Sequence, residues 1–189
     1  LKASGFSEDE FNAACRDYIS ILNIMGEKTK LAIANSIWYR QDFNPDKDFL
    51  QKNADYFRAA AQTLDFDGPK SAKIINDWVN NQTNGTIDKI VEKIQPDTVM
   101  YLINAVYFKS DWQIPFDAKN TREMQFQSPE GDVMAKFMNR SGHMEYMDKD
   151  GIKGVILPYD DGRFSFFALL PEEGKDVREF TKEIDGEKI

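Results

Sequence analysis

Ten consecutive residues, Val99 to Phe108 (VMYLINAVYF), are apolar on both alternating faces except for one amide, Asn104. Aromatic and β-branched side chains dominate the run, which favours strand over helix. A strand with two apolar faces reads as central, because both faces call for cover. Whatever else the chain does, it must build layers around this strand. Asn104 needs hydrogen-bond partners once buried there. It is either a core amide satisfied by neighbouring strand groups or a polar switch point within a sheet.

The residues before this strand alternate between helix and strand signals. Ser7 with Glu10 forms a capping box. Phe11, Ala14, Cys15, Tyr18 and Leu22 then recur at helical spacing up to Met25-Gly26. Residues 31 to 39 alternate bulky and small side chains, as a strand does. Asn44 and Pro45 read as N-cap and first position of a second helix, with Phe49, Leu50, Asn53 and Phe57 inside. Residues 59 to 66 read as a strand. Pro69 opens a third helix with the stripe Ile74, Ile75, Trp78 and Val79, closed by the left-handed signal Asn84-Gly85. Ile87 to Ile94 reads as a short amphipathic turn or loop.

From Thr121 onward the pattern is hairpins. Turns fall at Ser128 to Asp132, Asp150-Gly151 and Asp161-Gly162, between apolar runs at 133 to 138, 143 to 147, 152 to 157 and 164 to 170. Residues 176 to 184 suggest a last helix. Helices mixed with strands, followed by an antiparallel meander, make the fold class α+β.

Charge and composition narrow the function classes. The formal net charge is −8 and there is no basic run, so nucleic acid and anionic membrane surfaces are not expected partners. One cysteine, Cys15, excludes an intramolecular disulfide and a thiolate zinc cluster, and reads as a core thiol. A single histidine, His143, excludes multi-histidine metal sites. Asp65-Phe66-Asp67-Gly68 and Asp46-Lys47-Asp48 lack calcium-loop spacing and read as turn and helix-start chemistry. Glu172-Glu173 has no opposing carboxylate and reads as solvated loop charge. Three sequons, at Asn81, Asn84 and Asn139, read as chance. No cofactor, metal or catalytic residue is expected, and the chain is not read as an enzyme. Leu1 is not a start methionine and residues 1 to 12 lack a signal-peptide core, so a processed chain or a piece of a longer one is expected.

These segments resemble the serpin family. The ordered signals are Asn35-Ser36-Ile37-Trp38, Leu64-Asp65-Phe66, Ile75-Asn76-Asp77-Trp78-Val79 and Thr83-Asn84-Gly85-Thr86-Ile87. Leu102 to Lys109, Trp112, Pro115-Phe116, Thr121 and Phe126 follow, then Leu157-Pro158-Tyr159 and Ala168 to Gly174. The resemblance implies that residues 7 to 23, 45 to 57 and 70 to 83 are helices D, E and F. Residues 31 to 40, 59 to 66 and 98 to 110 become strands 2, 1 and 3 of sheet A, and 121 to 189 supplies hairpins of sheets C and B. The chain is then the central part, 1 to 189, of a single domain, divided into a helix and sheet A region (1 to 120) and a hairpin region (121 to 189).

Asn104 matches the polar amide of the family's shutter, and Trp112 and Thr121 match its breach. The resemblance implies suicide inhibition of a serine or cysteine protease by insertion of a reactive loop into sheet A, in an extracellular setting. A carrier, chaperone or storage member is the alternative, and an unrelated α+β hydrolase or binding domain the remote one. A glycosidase would need two facing carboxylates roughly 5 to 9.5 Å apart. The loop and its scissile bond, and the helices before helix D, are not in these residues. Ser110 stands where the family usually has Gly, and Lys136 where it usually has Pro. Residues 7 to 23 carry Glu8, Asp9, Glu10 and Asp17 against Arg16 alone, so polyanion activation is not expected. A second chain or copy is expected to complete sheet A.

Overall fold

The computed structural model describes residues 5–24 and 28–184. It comprises two compact units, Leu1–Lys109 and Ser110–Ile189. The expected helix end at Met25-Gly26 lies outside the described residues.

The first unit opens with α1 (Glu8–Ile24). Its capping box forms as the sequence predicts: the Ser7 N–H donates to Glu10 Oε2 at 2.9 Å and the Glu10 N–H donates to Ser7 Oγ at 3.3 Å. β1 (Thr29–Arg40) follows, then α2 (Lys47–Phe57). The α2 cap corrects the sequence reading. Asp46, not Asn44, is the N-cap, and its carboxylate accepts the Phe49 N–H at 2.9 Å. Pro45 is buried ahead of the helix rather than forming its first turn. β2 (Ala60–Leu64) is shorter than expected.

α3 (Ser71–Gln82) buries Ser71, Ile75 and Val79. Ile74 turns outward instead of joining the stripe. The helix stops as the Asn-Gly pair dictates: Asn84 and Gly85 have φ of 52° and 77°, and the Gly85 N–H donates back to Asn80 O at 2.9 Å. β3 (Met100–Ser110) completes the unit.

The sheet has the order β2-β1-β3. β1 and β2 are parallel, in register from Ser36 opposite Ala60 to Arg40 opposite Leu64. Arg40 N–H bonds Val99 O, and Asn35 meets Asn104 five residues back along β1 and five forward from Val99, so β1 and β3 run antiparallel. One face of the sheet packs under α3, in a core of Trp38, Phe66, Ile75, Val79, Val91, Ile103 and Ala105. Trp38 stands edge-on to Trp78 at 6.3 Å, and its indole N–H donates to Ser36 Oγ at 2.8 Å. Each large side chain buried here contributes about 1.5–3 kcal/mol.

β3 is not central within this chain. Among the described residues it pairs with β1 alone, and on the face away from α3 Leu102 and Val106 are 63% and 51% exposed. The run that reads as buried on both faces is therefore covered on one.

The second unit holds a 3-10 turn (Ala118–Asn120), the hairpin β4 (Arg122–Ser128) to β5 (Gly131–Phe137), and a sheet of β6 (Glu145–Lys149), β7 (Ile152–Pro158) and β8 (Ser165–Leu170) in that order. It ends with α4 (Val177–Glu183), whose N-cap Asp176 accepts from the Arg178 and Glu179 N–H groups. The β6–β7 turn is the one Asp150-Gly151 demands, with φ of 52° and 76° at its two central residues. The fold class is α+β, with helices and mixed sheets.

Candidate functional site

The first unit pairs an edge strand with a helix fastened across its sheet. Among the described residues no group of three or more His, Cys, Asp or Glu is placed to hold a metal ion. Cys15 is half-buried on α1. Among the described residues β3 has β1 as its one strand neighbour, and the strand's other side is where a further strand of the sheet would pair.

The fastening is specific. Between α3 and β3 the chain runs through residues 86 to 99 without helix or strand, yet Ile87, Val91 and Ile94 reach the core. Backbone in such a segment lacks partners from regular structure, so side chains supply them. Asn76, on α3, donates to Val91 O at 2.8 Å and accepts the Ile90 and Val91 N–H groups at 2.9 Å each. Asn80 donates to Asp88 at 2.9 Å. The buried Thr83 hydroxyl donates to Val79 O at 2.8 Å and accepts the Ile87 N–H at 3.1 Å. Helix and segment are thereby one clamped body. Sequence reasoning missed Asn76 as a clamp. Its signal is a poor helix former set inside an apolar stripe.

Arg40 holds the far end. Its guanidinium donates to Pro96 O at 3.1 Å, to Asp67 at 3.0 Å and to Asp42 at 3.1 Å. The hydrogen bond from Arg40 holds the Asp42 carboxyl below the usual carboxylate range.

Asn104 lies on the face of β3 opposite α3 and is exposed in these residues; burial is the expectation for the complete protein. It is nonetheless paired: its Nδ2 donates to Asn35 Oδ1 at 2.8 Å, and Asn35 Nδ2 donates to Phe57 O at 2.8 Å. Two side chains thus join β3, β1 and the end of α2. The exposure follows from the uncovered face of β3.

Trp112 and Thr121 belong to the second unit. Trp112 stacks on Tyr159 at 4.6 Å and 11°, with Phe116 and Phe166 edge-on at 6.0 Å each. An isolated β-bridge joins Trp112 to Tyr159. Arg140 caps the cluster, its guanidinium 5.1 Å from the Phe116 ring centre and bonded to Ile114 O. Thr121 is half-buried and turns the chain from the 3-10 segment into β4, donating its N–H to Ala118 O at 3.1 Å. Among the described residues no hydrogen bond or ring contact joins Thr121 to Trp112.

A family model described as Serpin (serine protease inhibitor) matches residues 1–189. An uncharacterized serpin-like protein of Thermococcus kodakarensis is 33% identical over 83% of this chain and 37% of its own length. Human Serpin B8 is 31% identical over 97% of this chain and 51% of its own. An ovalbumin of Dromaius novaehollandiae is 25% identical over 100% of this chain and 53% of its own. Among solved structures, the thermophilic serpin Tengpin in its native state superposes with a TM-score of 0.87 at 39% identity, covering 98% of this chain and 48% of that one. The chain spans about half the length of the curated relatives it matches, from 37% to 53% across these three. The fold, the motif order and these likenesses agree: the chain belongs to the serpin family.

Proposed function

We propose that these residues are the central part of a single serpin domain acting as a suicide inhibitor of a serine or cysteine endopeptidase. The observation that carries the reading is the serpin family match over residues 1–189, supported by an α3 clamped across the sheet that β3 belongs to. The protease nucleophile attacks the scissile carbonyl of a reactive loop supplied by the rest of the protein. The peptide bond breaks and an acyl-enzyme forms. The freed loop then adds to sheet A beside β3, carrying the protease with it. The metastability resides in a sheet that can accept that strand. Asn104, bonded to Asn35, acts at the shutter, and Trp112 and Thr121 act at the breach where insertion begins. α3 and residues 86 to 99 must yield together, because the Asn76 clamp makes them one body. The partner is a protease and the setting extracellular, by family likeness. A second chain or copy, or the remainder of the polypeptide, completes sheet A.

A non-inhibitory member with a carrier, chaperone or storage role is the second reading, favoured by the likeness to an ovalbumin. The test is to mix the complete polypeptide with a panel of serine and cysteine proteases and run the mixture under denaturing conditions. A covalent complex that survives denaturation is expected. Loop cleavage without any complex, across the whole panel, would support the second reading instead.

A further inference from the structure

The turn that ends α3 carries a chemical liability that is independent of the inhibitory reading. Asn84 precedes Gly85, which has no side chain to shield its backbone nitrogen. Asn84 is exposed, and among the described residues no hydrogen bond holds its side-chain amide. The Gly85 nitrogen, by contrast, is engaged: its N–H donates to Asn80 O at 2.9 Å in the left-handed cap, with φ of 52° and 77° at Asn84 and Gly85. Thr83, 1% exposed, locks the same turn through Val79 O and the Ile87 N–H.

From this juxtaposition we infer that Asn84 is a conformationally gated deamidation site, closed while the α3 cap is formed and open when the helix end frays or lifts. In the open state base removes the Gly85 amide proton, and the nitrogen attacks Asn84 Cγ. The new C–N bond closes a five-membered imide, and the side-chain nitrogen leaves as ammonia with a proton from water. Water then opens the imide at Cγ to give aspartate, or at the α-carbonyl to give isoaspartate. No oxidant or reductant is needed. Either product places a carboxylate at a helix C-terminus whose last turn has no basic residue, where negative charge is unfavourable. Isoaspartate also lengthens the backbone within the turn, so the Gly85 to Asn80 bond cannot re-form in register. Opening of α3 is thus recorded irreversibly, and each record loosens the helix end further.

The experiment follows conversion by peptide mass mapping at mildly alkaline pH in three samples: the complete polypeptide folded, the same polypeptide in denaturant, and a synthetic peptide of residues 74 to 89. Hydrogen exchange of the Gly85 amide is measured in parallel. Conversion in the folded chain is expected to be slower than in the peptide by about the Gly85 protection factor, about tenfold or more, because both report the open population. Thr83→Val should raise exchange and deamidation together. Equal rates in all three samples, an unprotected Gly85 amide, or a peptide that does not convert would each overturn the inference. So would a Thr83→Val chain whose exchange rises while deamidation stays constant.

Discussion

Asn76→Ala removes three hydrogen bonds at once, and their surroundings differ enough to predict the size of the loss. Ile90 is exposed, so its released N–H finds water. Val91 is 6% exposed, so its N–H and C=O lose partners that solvent cannot replace. Stranding buried polar groups costs about 1–3 kcal/mol. The better helix propensity of Ala returns about half a kcal/mol. The net expectation is a loss of about 2 kcal/mol in urea unfolding of the complete polypeptide, with hydrogen exchange rising first at residues 86 to 94. Asn76→Asp supplies the discriminating step: it keeps acceptors for the Ile90 and Val91 N–H groups, but when ionised it sets a carboxylate oxygen against Val91 O, and only when protonated can it donate there. At low pH it should fall between wild type and Ala. A loss below about 0.5 kcal/mol for Ala, within the range of an ordinary surface change, would refute the clamp. Asp and Ala behaving alike at low pH would refute the assignment of the acceptor bonds.

Other expectations follow from the same geometry. Asn104→Ala in the complete inhibitor should cost on the order of 1–3 kcal/mol and speed conversion to latent or polymeric forms, read by melting and polymerisation rate; unchanged values would remove Asn104 from the shutter. Trp112→Leu should weaken the second unit by about 1–3 kcal/mol, since it deletes one stacked and two edge-on pairs; a change confined to fluorescence with no shift in unfolding would contradict this. The Glu10 carboxyl is held below the usual carboxylate range by the Ser7 hydroxyl and then the Ser7 backbone N–H. A depressed folded pKa means the cap stabilises α1 above the ordinary carboxylate pKa and loses that contribution as pH falls through the lowered value. Glu10→Gln should flatten that acid limb of helicity; an unchanged limb would show the cap is not the titrating element.

Local chemistry was readable wherever it was over-determined. Asp150-Gly151 admits two consecutive residues at positive φ and little else, so the turn was evident from the pair. Ser7 with Glu10 and Asn84 with Gly85 are similar: two residues agree on one geometry. The start of α2 was misplaced because Asn44, Pro45 and Asp46 all carry start signals, and only the reach of the Asp46 carboxylate to the Phe49 N–H decides between them. Residues 86 to 99 were ambiguous because Ile87, Val91 and Ile94 have helical spacing while their backbone is held by side chains of α3. Long-range pairing of that kind leaves no periodic trace. The open face of β3 was illegible for a different reason: an apolar run reports which surface calls for burial, not whether these residues supply the cover. Asn104 stands out as the one amide of an apolar run, whereas Trp112 and Thr121 are reached through family resemblance, since a tryptophan and a threonine carry no chemistry that marks them alone.

Inhibition as proposed requires β3 to receive a new strand on the side away from β1. Hydrogen exchange at the backbone amides of Met100–Ser110, measured on the complete polypeptide before and after a protease cleaves its reactive loop, tests it most directly. The alternate amides not bonded to β1, which the remainder of sheet A covers before cleavage, should gain further protection once the loop is cut, while those bonded to β1 stay protected throughout. Unchanged exchange along β3 after complete cleavage would contradict strand insertion.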